Sequence, residues 1–168
     1  MKQDYYWGWL ALHEVSIAAF DHEFHRFSHG EKGSAWGVYT PDKPHAEVKT
    51  GKGEVFFKTM GSWRYSGIWA DSRNKWILPP GVKLKLRVTY SATGEGFLHA
   101  GFFGYRCDRN GKKVRGINYQ TVRLKVEKGV KTVEKILTTK TNEYVCPVFL
   151  HSGKGTATIT EFSLTPVR

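Results

Sequence analysis

The stretch Val82-Lys83-Leu84-Lys85-Leu86-Arg87-Val88-Thr89-Tyr90 decides the fold. In an extended chain Val82, Leu84, Leu86, Val88 and Tyr90 point one way, while Lys83, Lys85, Arg87 and Thr89 point the other. Period two marks a strand with one buried and one solvated face. A helix would scatter the same residues around its circumference. Pro79-Pro80-Gly81 sets a firm turn just before this strand.

Working outward, the same pattern repeats. Thr93-Gly94-Glu95-Gly96 turns the chain into a strand over Phe97 to Arg106. Asn110-Gly111 is a hairpin signal, because both residue types accept positive φ. Tyr119 to Val126 alternates again with Val122, Leu124 and Val126 inward, and Lys128-Gly129 leads to Val130 to Thr138. Tyr144 to Leu150 is a mostly apolar strand; Ser152-Gly153-Lys154-Gly155 reads as a turn into a last strand ending near Leu164. Upstream, Ser34 to Thr40, Glu54 to Met60 and Trp63 to Ala70 are strand candidates, separated by Gly51-Lys52-Gly53 and Gly61-Ser62. The one helix candidate, Leu10 to Phe20, lacks caps and carries β-branched Val15 and Ile17. Eight or more short strands with turns every ten residues or so predict an all-β fold, a sandwich or a barrel, with an antiparallel β-sandwich preferred. No repeat or linker divides residues 1–168, which predicts a single domain.

Composition agrees. A chain of 168 residues buries roughly 70% of its unfolded surface, and 14% aromatics with 18 glycines suit short strands and tight turns. No apolar run approaches the roughly 18 residues of a membrane span. The chain starts without the apolar stretch of a signal peptide, so the sequence reads as cytosolic or as a module cut from a longer secreted chain. Two cysteines, Cys107 and Cys146, are too few for a disulfide scaffold; they either bridge or sit buried as small hydrophobes.

Charge is uneven. Lys and Arg exceed Asp and Glu by 11 overall. Nine Lys/Arg face only Glu127 and Glu134 between Gly111 and Lys140, whereas the first thirty residues carry a net −2. A clustered positive field attracts nucleic acid, a membrane surface or an acidic polysaccharide; a solvated strand face with edge lysines accounts for it equally well.

Aromatic residues supply the candidate site. Trp63, Tyr65, Gly67 and Trp69 share one face of a strand. Flat rings stack on the C–H faces of sugars, although any single tryptophan is more often core. Phe97, His99, Phe103 and Tyr105 share a face of the next strand, and Tyr119, Thr121, Arg123 and Lys125 that of a further one. If those faces join that of Lys83, Lys85 and Arg87, a basic surface studded with Tyr and His results. Its Arg forks would grip carboxylate or sulfate bidentately. The candidate ligand-binding residues are therefore Trp63, Tyr65, Trp69, Arg87, His99, Tyr105, Tyr119 and Arg123. His22, His25 and His29 cluster in DHEFHRFSHGE, but without HExxH spacing. No spaced carboxylate pair, GxSxG elbow or P-loop asks for catalysis.

With strands placed, Trp76 to Leu164 resembles the jelly-roll carbohydrate-binding modules attached to bacterial polysaccharide-degrading enzymes. The likeness rests on Leu78-Pro79-Pro80-Gly81 before VKLKLRVTY, on the Gly-Tyr strand closing in Asp108-Arg109-Asn110-Gly111-Lys112, and on Ser152-Gly153-Lys154-Gly155 leading to Ala157–Leu164. It implies a non-catalytic, extracellular domain of a larger secreted protein, with a multimodular enzyme as parent. It also implies a structural calcium ion, with Glu161 of the last strand and Asp21 and Glu23 as candidate ligands. The function expected is polysaccharide binding by aromatic stacking, with the charge favouring an acidic glycan. A single-stranded nucleic-acid-binding β-domain, a structural or adhesin sandwich, and a lyase or hydrolase on the same fold follow in that order.

Overall fold

The computed structural model describes residues 36–40, 43–51, 54–70, 77–108 and 110–167. Every regular element among them is a strand: β1 (Trp36–Tyr39), β2 (Ala46–Gly51), β3 (Glu54–Ala70), β4 (Ile77–Leu78), β5 (Lys83–Gly94), β6 (Phe97–Cys107), β7 (Lys113–Leu124), β8 (Val130–Thr138) and β9 (Glu143–Pro166). The helix candidate at Leu10 to Phe20 and the histidine cluster lie outside the described residues.

All pairings are antiparallel, and they resolve into two layers because β3 and β9 each run through both. The first layer is ordered β8–β5–β9–β3–β2, using the second half of β9 and the first half of β3. The second is ordered β7–β6–β9–β3–β1, using the other halves of the same two strands. This is an antiparallel β-sandwich of jelly-roll type.

Two expected turns are therefore not turns. Gly61-Ser62 lies within β3, whose register against β9 slips between Met60 and Ser66. Gly153 lies within β9, opposite Ser62, with φ +91°. Glycine lets the strand bend there while its pairing continues into the other layer. β7 also starts at Lys113, six residues earlier than alternation indicates, because Val114, Arg115, Gly116 and Ile117 are all exposed and show no two-sided pattern.

Alternation on β5 behaves as read: Leu84, Leu86, Val88, Tyr90 and Ala92 are buried. They meet Leu98, Ala100, Phe102 and Phe149 of the second layer in one core. Phe57 and Phe149 join the layers directly, with ring centroids 5.2 Å apart. The buried Tyr90 satisfies its hydroxyl by donating to the Lys125 carbonyl at 2.8 Å, as a buried phenol must. Glu143, fully buried at the start of β9, accepts from the Lys140 and Thr141 amides at 2.8 and 2.9 Å and from Asn118 at 2.6 Å. One carboxylate thus pins the β8–β9 turn to β7. Cys107 and Cys146 are both buried and form no disulfide; burial raises the pKa of Cys107.

His151 stands at the bend of β9, with no exposed surface, its Nδ1 3.3 Å from Thr59 Oγ1. Burial lowers its pKa from 6.5 to about 4.

Two stability outcomes follow from this core. Phe149→Ala removes the ring that bridges the layers and should cost about 3–5 kcal/mol in urea unfolding; a loss under about 1 kcal/mol would contradict the packing. Above pH 6.5 His151 is neutral both folded and unfolded. As pH falls from 6.5 to about 4, the unfolded chain takes up the proton first, so stability declines until the folded imidazole protonates as well. The interval corresponds to about 3 kcal/mol. His151→Gln should flatten the decline of the urea midpoint over that range.

Candidate functional site: the outer face of the second layer

On β6 the core takes Leu98, Ala100, Phe102 and Gly104, which leaves Phe97, His99, Gly101, Phe103 and Tyr105 on the outer face. The ladder sets the outer residues of β7 beside them: Arg123 opposite His99, Thr121 opposite Gly101, Tyr119 opposite Phe103 and Ile117 opposite Tyr105. On the other side the β9 positions are Leu150, half-buried, opposite His99 and Val148, buried, opposite Gly101, so the exposed part of the face lies along β6 and β7. Gly101 is required here. Its φ is +150°, and a Cβ would stand 2.1 Å from the Gln120 carbonyl oxygen. The consequence is a row without a side chain between His99 and Phe103.

The exposed rings meet one another and the nearby cations in defined ways. Tyr65, 38% exposed, meets His99 edge-on at 5.5 Å. Tyr119, 65% exposed, meets Phe103 edge-on at 5.0 Å. The Arg123 guanidinium lies 4.4 Å from the Phe97 ring centroid, and the Lys113 ammonium 5.1 Å from that of Tyr105. Both distances fall within cation–π range. Burial, and then the Arg123 charge, lower the pKa of His99. The imidazole is therefore neutral at pH 7 and both donates and accepts hydrogen bonds. Burial raises the pKa of Tyr105, so its phenol stays protonated.

The sequence-derived candidates divide accordingly. Tyr65, His99, Tyr105, Tyr119 and Arg123 come together on this face. Trp69 is described only in its backbone, which pairs with Val148 of β9 and Gly37 of β1. Trp63, also described only in its backbone, falls in the irregular stretch of β3. Arg87 does not belong with them. It lies on the outer face of the first layer, donating to Glu134 through Nη1 and to Glu161 through Nε, both at 2.8 Å. The continuous basic surface expected from Lys83, Lys85 and Arg87 through to Tyr119 does not form, because the two strand sets belong to opposite layers. Phe97, which alternation already sets on this face, and Lys113 join the candidates through their cation–ring contacts, which depend on the register of β6 with β7.

The expected calcium ligands fare differently. Asp21 and Glu23 lie outside the described residues. Glu161 gives one carboxylate oxygen to Arg87 and the other to the Thr89 hydroxyl, at 2.8 and 2.7 Å. Among the described residues no three His, Cys, Asp or Glu side chains gather as a metal site.

The same fold occurs in solved structures. The CBM22-1 xylan-binding domain from Paenibacillus barcinonensis Xyn10C matches with a TM-score of 0.55 at 13% identity, over 86% of this chain and 92% of its own. The N-terminal cellulose-binding domain from Cellulomonas fimi β-1,4-glucanase C matches at 0.56 and 12% identity, over 82% and 91%. The enzymatically active domain of bacteriophage CBA120 tailspike protein 4 matches at 0.54 and 12% identity, over 88% of this chain and 21% of that one. Against that larger protein this chain spans about a fifth of the length. No family model and no curated protein sequence matches the chain. At such identities the likeness is one of fold, a jelly-roll β-sandwich shared by binding domains and by an enzymatically active domain alike.

An NMR titration tests the electrostatics of the face. The His99 midpoint should lie below 6.5, and Arg123→Gln should move it upward; an unmoved midpoint would detach Arg123 from the site.

Proposed function

We propose that this domain is a polysaccharide-binding module that holds its glycan on the outer face of the β7–β6–β9 layer and contributes binding, not catalysis. The observation that carries the reading is the row of exposed rings on rigid strands, Tyr119 above all. An aromatic ring 65% exposed on a sheet does little for the core and offers a flat apolar surface to a sugar. Neutral His99 and the phenol of Tyr105 add hydrogen-bonding groups for hydroxyls, and Arg123 and Lys113 add charge. The fold supports the reading, since the solved structures that share it include xylan-binding and cellulose-binding domains. In this reading the domain works outside the cell as one module of a larger polysaccharide-degrading protein.

Affinity electrophoresis through gels containing xylan, β-glucan or polygalacturonate tests it. Tyr119→Ala should weaken retention about tenfold, the loss of one stacking platform of about 1.4 kcal/mol. Arg87→Ala, on the opposite layer, should leave retention unchanged. Equal loss in both variants would place the site elsewhere, and retention by single-stranded DNA without any glycan retention would make this a nucleic-acid-binding domain.

A further inference from the structure

Cations on the two outer surfaces of this sandwich live in different electrostatic settings. On the first layer Arg87 is shared between Glu134 and Glu161, and Lys85 pairs with Glu134 at 3.0 Å. There Lys85 and Arg87 rest on carboxylates. On the second layer, the outward positions of β6, β7 and the first half of β9 named above include no carboxylate among the described residues. Arg123 and Lys113 rest there on rings instead of on acids. Asp108, just past β6, uses Oδ1 to accept from the Asn110 and Lys112 amides of its own turn. Glu127, three residues past β7, pairs with Lys131 at 2.6 Å.

A cation held on a ring keeps its full charge and most of its hydrogen-bonding edge, while losing freedom it would otherwise give up on binding. It also covers the ring beneath it, so Phe97 and Tyr105 present charge to a ligand and leave stacking to Tyr119 and Tyr65. Register fixes the spacing. The two cations rest over Phe97 and Tyr105, eight residues apart on β6, and Tyr119 is level with Phe103 between them, nearer the Tyr105 end. At about 3.3 Å per residue, the two cations stand roughly 26 Å apart along β6.

We propose that the ligand is an acidic polysaccharide lying along β6 and β7. Its acid groups engage Arg123 at one end and Lys113 at the other, and a sugar ring stacks on Tyr119 between them. This rests on the polysaccharide-binding reading and specifies its substrate class and direction. Carboxylate and sulfate share the chemistry an Arg fork recognises. The span demands a polymer, since no single sugar reaches both cations.

Isothermal titration of the whole chain with polygalacturonate, dextran sulfate and neutral β-glucan, at low and high salt, tests the proposal. One or both acidic polymers should bind at least about tenfold tighter than the neutral one at low salt, and that margin should shrink as salt screens the charges. Whichever acidic polymer binds identifies the acid group. Lys113→Gln and Arg123→Gln should each weaken acidic binding about fivefold and narrow the margin over the neutral polymer at low salt. Arg123→Lys, which keeps the charge and the ring contact, should restore part of the loss and guards against a folding defect. Monomeric galacturonate should not compete. Equal affinity for acidic and neutral polymers, or acidic binding indifferent to salt and to both Gln variants, overturns the acidic assignment while leaving polysaccharide binding intact. No binding to any glycan overturns the broader reading as well.

Discussion

A strand of 24 residues carries a long row of backbone amides and carbonyls on each edge, and burying such a row requires partners along its whole length. β9 meets that requirement by changing partners. Its first half is bonded to β6 and to the end of β3, its second half to β5 and to the start of β3. It is thereby the middle strand of both layers. The bend at His151 and Gly153 is where the core is enclosed, since the apolar faces of the two halves turn toward one another only because β9 and β3 bend at the same level. The position of every other strand, and so of the aromatic face, is counted from β9 by hydrogen-bonded register.

This constraint explains what was legible in the sequence. VKLKLRVTY and the strand of Phe97 to Arg106 have one buried and one outer face, so alternation reveals both their type and their orientation. β3 and β9 conceal their length because the glycines that permit the bend look like turn glycines: the chemistry that ends a hairpin also lets a strand cross between layers. The exposed start of β7 carries no alternation at all, and β4 is too short to show any.

The site was partly legible for the same reason. His99, Tyr105, Tyr119 and Arg123 each lie on an outer face that single-strand alternation assigns correctly. Whether two outer faces belong to the same layer is a matter of pairing, and pairing joins residues far apart in sequence. Arg87 illustrates this. It has the composition of a binding residue and an outward position, but its layer is the other one, where Glu134 and Glu161 occupy it. Net positive charge likewise says little until cations paired with carboxylates, such as Lys85 and Arg87, are told from those that rest on rings, such as Arg123 and Lys113.

The two buried thiols carry a consequence of a different kind. Cys107 and Cys146 are unbridged, and the core and the ladder of β9 hold the sandwich without a covalent cross-link. The folding equilibrium of the described sandwich is therefore indifferent to redox potential: no bond in it needs an oxidant to form or is lost to a reductant.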